Sequence, residues 1–407
     1  MVTSNFSMEQ DRLVNILVSF DVPKRFMEQT TAMEVILGES LLTPGLQTSV
    51  KVHSYLHNLP IKDLDVFKGV EMQIQLERKV NELYGVTKDM EVWQTVYRID
   101  TRKLINNNVE EFIFHACDPT LLDDAATLVS KMWKCTTPSA VVSDVLSSCA
   151  GAKVLDIESS GMARDYIAEN IHPFQVVAQQ ANVALAAGDD PSFLHYMTYH
   201  AHGTHHFRSL NSLTKKTPII EYFFSEAGDN AESNGYSNPF KIMTLSFPCD
   251  FDLLSDILNG VNANGQNINS TGLFNLVTKQ FNTFGNQLIG CGIGGGNMKM
   301  AMTNQDSASQ QNACPDYAYL YLQKRQARMN LLESDKIALR ITVPWNPELH
   351  AGEIIKLTLK NKNDPDQLNY GSGEYLIVSM THNIRRGGFG TTTMDCVSKT
   401  VGTSHTV

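Results

Sequence analysis

Apolar and polar residues alternate along much of the first 116 positions of the chain. Five segments there are also rich in β-branched or aromatic residues: Leu13–Phe20, Ser49–Leu56, Val70–Leu76, Trp93–Ile99 and Glu110–Ala116. Turn signals rich in Pro, Gly and Asn separate several of them, as at Thr43–Gly45 and Asn106–Asn108. Several short alternating segments at this spacing predict an antiparallel β-barrel or sandwich.

The apolar period changes after Asp118. Apolar side chains recur at helical spacing from Leu121 to Met132, which predicts a first helix. A second helix is predicted over Ser139–Leu146. A third is predicted over Ile171–Leu185, with a proline in its first turn and a glycine beyond its end. Residues 118–188 are therefore predicted to be a helical insertion between β regions.

Strand patterns resume after this insertion, at Phe193–Tyr199, Thr204–Ser209, Pro218–Phe224 and Lys241–Phe247. A helix is predicted over Phe251–Leu258, a long polar loop over 260–315, and another helix over Tyr317–Leu332. Four strands then close the chain: Ile337–Val343, Glu353–Leu359, Glu374–Thr381 and Gly390–Val397. The pattern predicts an α+β fold that is mainly β.

Composition narrows the possible functions. The 407 residues suffice for two to three domains, and the net charge is −10, from 33 basic and 43 acidic side chains. A protein this acidic is a poor candidate for binding nucleic acid through contacts that neutralise phosphates. Seven widely spaced cysteines without a C-x-x-C motif lead us to expect reduced thiols and no zinc site. No apolar run reaches the length of a membrane-spanning helix.

Histidines are concentrated in one short segment. His195, His200, His202, His205 and His206 lie within twelve residues, and imidazole is a common metal ligand. A catalytic metal needs three or four converging ligands, whereas the strand pattern places His205 and His206 on opposite faces of a hairpin. Two interpretations remain, a metal-dependent hydrolase that uses the His200–His206 hairpin and an exposed hairpin that carries histidines. We favour the second.

Other catalytic motifs are weak. Gly290–Gly295 fits G-x-G-x-x-G by letter, but it has neither a buried strand before it nor a helix after it. There is no G-x-S-x-G. We therefore predict no catalytic, cofactor-binding or metal-binding residue, no cofactor, and no enzymatic activity.

The C-terminal segment carries the most specific pattern. A glycine turn at Tyr370–Gly373 leads into Glu374–His382, a second glycine turn follows at Gly387–Gly388, and a threonine-rich strand returns. This resembles the closing segment of bacteriophage baseplate hub proteins, including the late control D family. The residues at the positions of that pattern are Gly352, Gly373, Tyr375, His382 and Thr391. Residues 44–52 and 65–74 also resemble the family's first barrel, and 172–177 with 193–210 resemble the passage into its second barrel.

The resemblance implies two tube-like antiparallel β-barrels with a helical insertion. The first barrel would be residues 1–117 and the insertion 118–188. The second barrel would begin with 189–259, continue through a loop-rich and helical segment at 260–333, and close with 334–407.

The resemblance also implies a function and partners. The chain would be the structural hub of a phage tail baseplate, a homotrimeric ring that joins the six-fold tail tube to a three-fold central spike and forms part of the DNA channel. Its partners would be a tail tube or tube-initiator protein, a separate spike protein and baseplate wedge proteins, with DNA only in transit and no membrane. It would be assembled in the host cytoplasm and reside in the virion tail. The hub of a contractile injection machine would look alike, and a carbohydrate-binding tail module is a further alternative.

Overall fold

A computed structural model describes the greater part of the chain. The described residues are 14–22, 25–55, 69–78, 88–106, 109–188, 190–224, 242–248, 270–275, 280–285, 298–303, 325, 328–329, 332, 337–359, 371–386 and 390–398. They are mainly β, as predicted, and the strands pair largely in antiparallel fashion.

The N-terminal region contains six strands: β1 Val14–Val22, β2 Arg25–Ser40, β3 Gln47–Tyr55, β4 Glu71–Arg78, β5 Lys88–Asn106 and β6 Val109–Cys117. They pair in the order β1–β4–β5–β6–β3–β2, and β2 pairs back to β1. Alternate side chains point to one side, where Val50, Phe112 and Phe114 are fully buried. We call these six strands the first strand group.

Four short helices and five strands follow: α1 Pro119–Ala126, β7 Val129–Thr136, α2 Pro138–Ser148, β8 Val154–Ile157, β9 Arg164–Ile171, α3 Pro173–Ala181, β10 Phe193–Thr198, β11 Thr204–Ser209 and α4 Leu210–Thr214. A 3₁₀ turn at His200–His202 connects β10 to β11. β7 pairs with β9, and β10, β11 and β8 form a separate sheet. Helices α2 and α3 pack on both small sheets through two apolar clusters.

The remaining strands are mostly in the C-terminal part: β12 Ile220–Phe224, β13 Thr244–Ser246, β14 Ser270–Asn275, β15 Gln280–Gly285, β16 Met298–Thr303, β17 Leu339–Pro344, β18 Ile354–Leu359, β19 Gly373–Arg385 and β20 Gly390–Ser398. Six of them pair in the order β13–β17–β20–β19–β18–β12, with β12 parallel to β18. They enclose their own apolar core, which includes Tyr222, Ile341 and Leu357. We call these six strands the second strand group.

One strand pair joins the two groups into a single 12-stranded sheet. β2 pairs with β19 from Ser40 opposite Ser379 to Glu34 opposite Arg385. β19 is long enough to pair with β18, β20 and β2.

Several sequence predictions are wrong at the level of single elements. The segment Leu128–Met132 is not helical, because α1 ends at Ala126 and β7 begins at Val129. β7 pairs with β9, and its residues Val129 and Trp133 are buried against α2 and α3. These two residues are four positions apart, which is also the spacing of buried residues in a helix. The second helix is confirmed, and the third ends at Ala181, before the predicted Leu185.

The hairpin β10–β11 needs a correction of its pairing. The sequence predicts this hairpin as part of the second barrel, whereas it pairs with β8 and packs on α3. Its strand pairing therefore groups the hairpin with the inserted elements. The six side chains of β10 are all buried, which explains why its sequence does not alternate.

Two further expectations differ from the structure. The segment 260–315, predicted to be a loop, contains the three-stranded sheet β15–β14–β16. Cys135 is disulfide-bonded, so the expectation of seven reduced thiols is wrong. The predicted helix at 251–258 and the glycine run at 290–295 lie outside the described residues, as does most of 317–332.

Among the described residues, every helix is too short or too polar to span a bilayer.

Candidate functional site

The carboxylate of Glu39 connects three distant segments of the chain at the junction of the two strand groups. Its Oε1 accepts a hydrogen bond from the backbone N–H of Tyr199 at 2.7 Å and one from His350 Nδ1 at 3.0 Å. Its Oε2 accepts the N–H of Ala351 at 2.7 Å. β2 supplies the carboxylate, the end of β10 supplies Tyr199, and the loop before β18 supplies the other two residues.

The charges of this contact are matched. Burial on its own would raise the pKa of Glu39, but the hydrogen bond and charge of His350 and the two backbone N–H groups lower it below its usual value. Burial likewise opposes protonation of His350, but the hydrogen bond and charge of Glu39 raise its pKa. The pair is therefore ionised at mildly acidic pH and forms a buried ion pair.

Gly352, one of the family-pattern residues, lies beside this ion pair. Its φ is +85°, and a Cβ atom there would stand 2.7 Å from Tyr196 Oη and 3.3 Å from Leu41 Cδ2. Tyr196 is itself only 1% exposed and is enclosed by other residues. Glycine is required at this position both by the backbone conformation and by the close approach of β10.

The other family-pattern residues lie on β19 and β20. Tyr375 donates its hydroxyl to the carbonyl of Gly371 at 2.6 Å, and so closes the turn before β19. His382 is fully buried, with Nδ1 2.8 Å from Thr392 Oγ1. Thr391 stands opposite Asn383 on β19, and a Cβ added to Gly373 would meet open space. The structure thus gives packing or turn contacts to Gly352, Tyr375 and His382.

His195 and His205 of the histidine hairpin are buried, which corrects the expectation of an exposed hairpin for its strands, whereas His200 at its tip is exposed. His195 Nε2 lies 3.2 Å from His205 Nδ1, and the two rings stack with centroids 5.5 Å apart. Phe174 of α3 covers both rings edge-on. His205 Nε2 lies 3.2 Å from Thr120 Oγ1, whose hydroxyl donates to Asp118. These contacts fasten α1 and α3 to the hairpin.

His206 points to the other face of the hairpin, as the strand pattern predicted. Its Nδ1 donates to Asp156 Oδ2 at 2.8 Å, and its ring stacks on Tyr196 with centroids 4.7 Å apart. Arg208 also binds Asp156 through two hydrogen bonds. The carboxylate therefore joins β8 to β11.

These histidines do not converge on a common point. Across the part of the chain that the structure describes, no group of three or more His, Cys, Asp or Glu side chains is placed to hold a metal ion. Burial lowers the pKa of His195 well below 6.5, and burial with the nearby charge of His206 lowers that of His205 to about 4. Both rings are neutral at physiological pH and fill the core of the inserted elements.

The importance of Glu39 was missed from the sequence. A carboxylate in a strand segment predicts an exposed position, and only its partners from residues 199, 350 and 351 make its burial possible.

We expect Glu39→Gln to lower the free energy of unfolding by about 3 kcal/mol, because it leaves His350 without its buried counter-ion. Urea unfolding at pH 6 measures the change. Glu34→Gln on the same strand is the control, since Glu34 pairs with the 66% exposed side chain of Arg385. The control should cost at most about 1 kcal/mol. Equal losses in the two variants would contradict the central role of Glu39.

We expect Gly352→Ala to cost about 1 to 3 kcal/mol in the same assay, because the added methyl group meets Tyr196 in a left-handed backbone conformation. Gly373→Ala is the matched control, since its Cβ has open space. A control that is as destabilised as Gly352→Ala would refute the steric explanation.

We expect stability to fall as the pH drops from about 6.5 toward 4, because buried His195, His205 and His382 take up protons only after unfolding. Burial lowers the pKa of His382 from 6.5 to about 4, so its contribution is complete above 6.5 and is lost as the pH falls. His382→Gln should reduce the slope of unfolding free energy against pH by about 1.4 kcal/mol per pH unit in this range. Urea titrations at four pH values measure the slope, and an unchanged slope would contradict this assignment.

Comparisons with known proteins come from structures alone. No protein-family model matches the sequence, and no curated protein matches it. Among solved structures, the tail protein from Neisseria meningitidis MC58 matches with a TM-score of 0.54 at 11% identity, over 95% of this chain and 99% of that chain. The 43 kDa tail protein of prophage MuSo2 from Shewanella oneidensis matches with a TM-score of 0.55 at 9% identity, over 94% of this chain and 98% of that one.

A third match is a chain of a PdpA–VgrG complex in its lidless form. The TM-score is 0.50 at 9% identity, over 97% of this chain and 66% of that chain. The structural similarity to the two tail proteins covers nearly the whole length of each of them. It does not depend on the short sequence motifs of the C-terminal segment. The chain therefore has the fold of these two tail proteins, which confirms at the level of the fold the resemblance that its sequence predicted.

Proposed function

We propose that this chain is a structural protein of a phage tail, and specifically the hub of its baseplate. The observation that carries the proposal is the fold likeness to two tail proteins over 94–95% of this chain and 98–99% of theirs. A match over nearly all of both sequences favours a shared architectural role over a shared single domain.

The two strand groups are the proposed tube-like barrels. The first group, within residues 1–117, pairs in a cycle that returns from β2 to β1. The second group also has six strands, drawn from 220–246 and 339–398. The inserted elements at 118–188, together with the β10–β11 hairpin, are proposed to form a body beside the barrels that contacts them through the end of β10.

The symmetry of a tail explains why two barrels in one chain are useful. A tail tube is six-fold and a central spike is three-fold, so a protein between them needs one surface of each kind. Three copies with two similar barrels present six barrels in a ring while the assembly keeps three-fold symmetry. The buried Glu39–His350 contact would hold the two barrels of each chain at a fixed relative position.

The proposed partners follow from this placement. They are two further copies of the chain, a tube or tube-initiator protein on one side, a separate spike protein on the other, and wedge proteins around the ring, with DNA only in transit. The proposed location is the baseplate of the virion tail, after assembly in the host cytoplasm.

A non-enzymatic role is part of the proposal. The hydrolase alternative requires histidines that converge at an accessible site, whereas His195 and His205 are buried against Phe174 and His206 is held by Asp156. This arrangement favours a structural role for the hairpin. Metal analysis of the purified protein tests the alternative, which stoichiometric zinc and a hydrolytic activity lost on chelation would support.

We expect the purified chain to form a ring of three copies, because each copy would supply two of the six barrels. Native mass spectrometry gives the number of chains, and cryo-electron microscopy of the particle shows whether the two strand groups alternate around one axis. A stable monomer at micromolar concentration, or a ring of six chains, would overturn the adaptor role.

A further inference from the structure

One face of the 12-stranded sheet is polar and runs across both strand groups. It follows the paired strands β5, β6, β3, β2, β19, β20, β17 and β13. On the opposite face of these strands, alternate side chains such as Val50, Ile384 and Ile341 are buried in the two cores. We call the other side the polar face.

The strand register aligns the side chains of the polar face in rows. One row crosses four strands through hydroxyl groups: Thr244, Thr342, Thr393 and Thr381. The next row combines polar and small apolar residues: Thr391, Asn383, Ile36, Ser49 and His115. The rows pass from the second strand group into the first through β19 and β2 without a change of face.

Most charged side chains of the polar face have a partner of opposite sign on it. Three ion pairs connect neighbouring strands: Lys51 with Glu111 at 3.1 Å, Arg385 with Glu34 at 2.8 Å, and Arg340 with Asp395 at 2.6 Å. On β5, Arg98 binds Asp100 at 2.8 Å, and His115 and His53 each approach a carboxylate of the face. Lys103 and Glu91 also belong to this face, and neither takes part in an ion pair among the described residues. With histidines left out of the count, five cations offset five carboxylates in a chain whose net charge is −10.

We propose that the polar face is the wall of a channel through which duplex DNA slides, and that its ion pairs keep it from holding the phosphates. The inference rests on the proposed function, because it needs a ring with the strand groups around an axis. The opposite face is unavailable for a wall, since it is covered by the two cores and by Met197, Tyr199 and Trp345. The hairpin β10–β11 therefore packs on the far side of the sheet, away from the proposed channel.

The chemistry of the face suits passage rather than binding. Every cation that reaches a phosphate releases counterions and adds salt-dependent affinity, so free lysines or arginines would retain the DNA. Here four of the five guanidinium or ammonium groups, all except that of Lys103, already have a carboxylate at 2.6–3.1 Å. Threonine and serine side chains lie between the pairs.

The test removes the carboxylates and leaves the cations. The triple variant Glu34→Gln, Glu111→Gln and Asp395→Asn frees three cations on the polar face. The matched control Asp144→Asn, Asp165→Asn and Glu169→Gln makes the same charge change on α2 and β9. Circular dichroism and native mass spectrometry establish that both variants keep the fold and the oligomeric state of the unmodified chain.

Binding of a fluorescent 20-base-pair duplex to the assembled protein is then measured by anisotropy. We expect the polar-face variant to bind at least about tenfold more tightly than the unmodified chain at 50 mM salt, and the control to stay near the unmodified value. With about three new phosphate contacts, the gained affinity should fall about fortyfold between 50 and 200 mM salt. Equal gains in both variants, or no gain in either, would overturn the inference.

The position of the face is checked independently by cryo-electron microscopy of the unmodified particle. Thr381 and Thr393 should line the central channel. A ring that turns these residues outward would overturn the inference and leave the hub proposal standing, whereas the absence of a ring would overturn the hub proposal itself.

Discussion

The architecture depends on one buried carboxylate. Glu39 lies on a core-facing position of β2, where an unpaired charge would be very costly, and it is stabilised only because His350, Tyr199 and Ala351 surround it. These partners come from about 160 and 310 residues further along the chain. The contact therefore forms only when the first strand group, the hairpin and the loop before β18 have reached their final places, and it makes the three mutually dependent.

The same junction explains the demand for glycine at residue 352. The chain passes so close to Tyr196 that no side chain fits, while the Gly352 N–H donates to the carbonyl of Ile377 at 2.9 Å. Leu41 makes the matching contact on the other side through its N–H to the carbonyl of Val378 at 2.8 Å. Backbone hydrogen bonds and the Glu39–His350 ion pair thus hold the junction together, and the two strand groups form one continuous sheet.

Polar groups serve two different purposes on the two faces of this sheet. On the buried side, Glu39 and His382 have few specific partners and contribute to a unique packing arrangement. On the polar face, acids and bases cancel locally, and the proposed advantage is a surface with little affinity for an anionic polymer. The chain's overall acidity would not by itself reveal this local balance, because it counts charges without their neighbours.

Much of the β structure was determined by the sequence itself. Period-two alternation predicted β3, β4 and β6 closely, the closing strands β17–β20 followed from apolar runs and glycine turns, and Pro173 correctly marked the start of α3. Tertiary structure decided the rest. β2 was missed because a bulge between Ala32 and Glu34 shifts its register and because Glu39 occupies a core position. The start of β7 was predicted as helix because its apolar residues have helical spacing. The pairing of the β10–β11 hairpin with β8 cannot be predicted from a single sequence. In each case the deciding partner lies far along the chain, and local alternation carries no information about which distant strand supplies the hydrogen bonds or buries the charge.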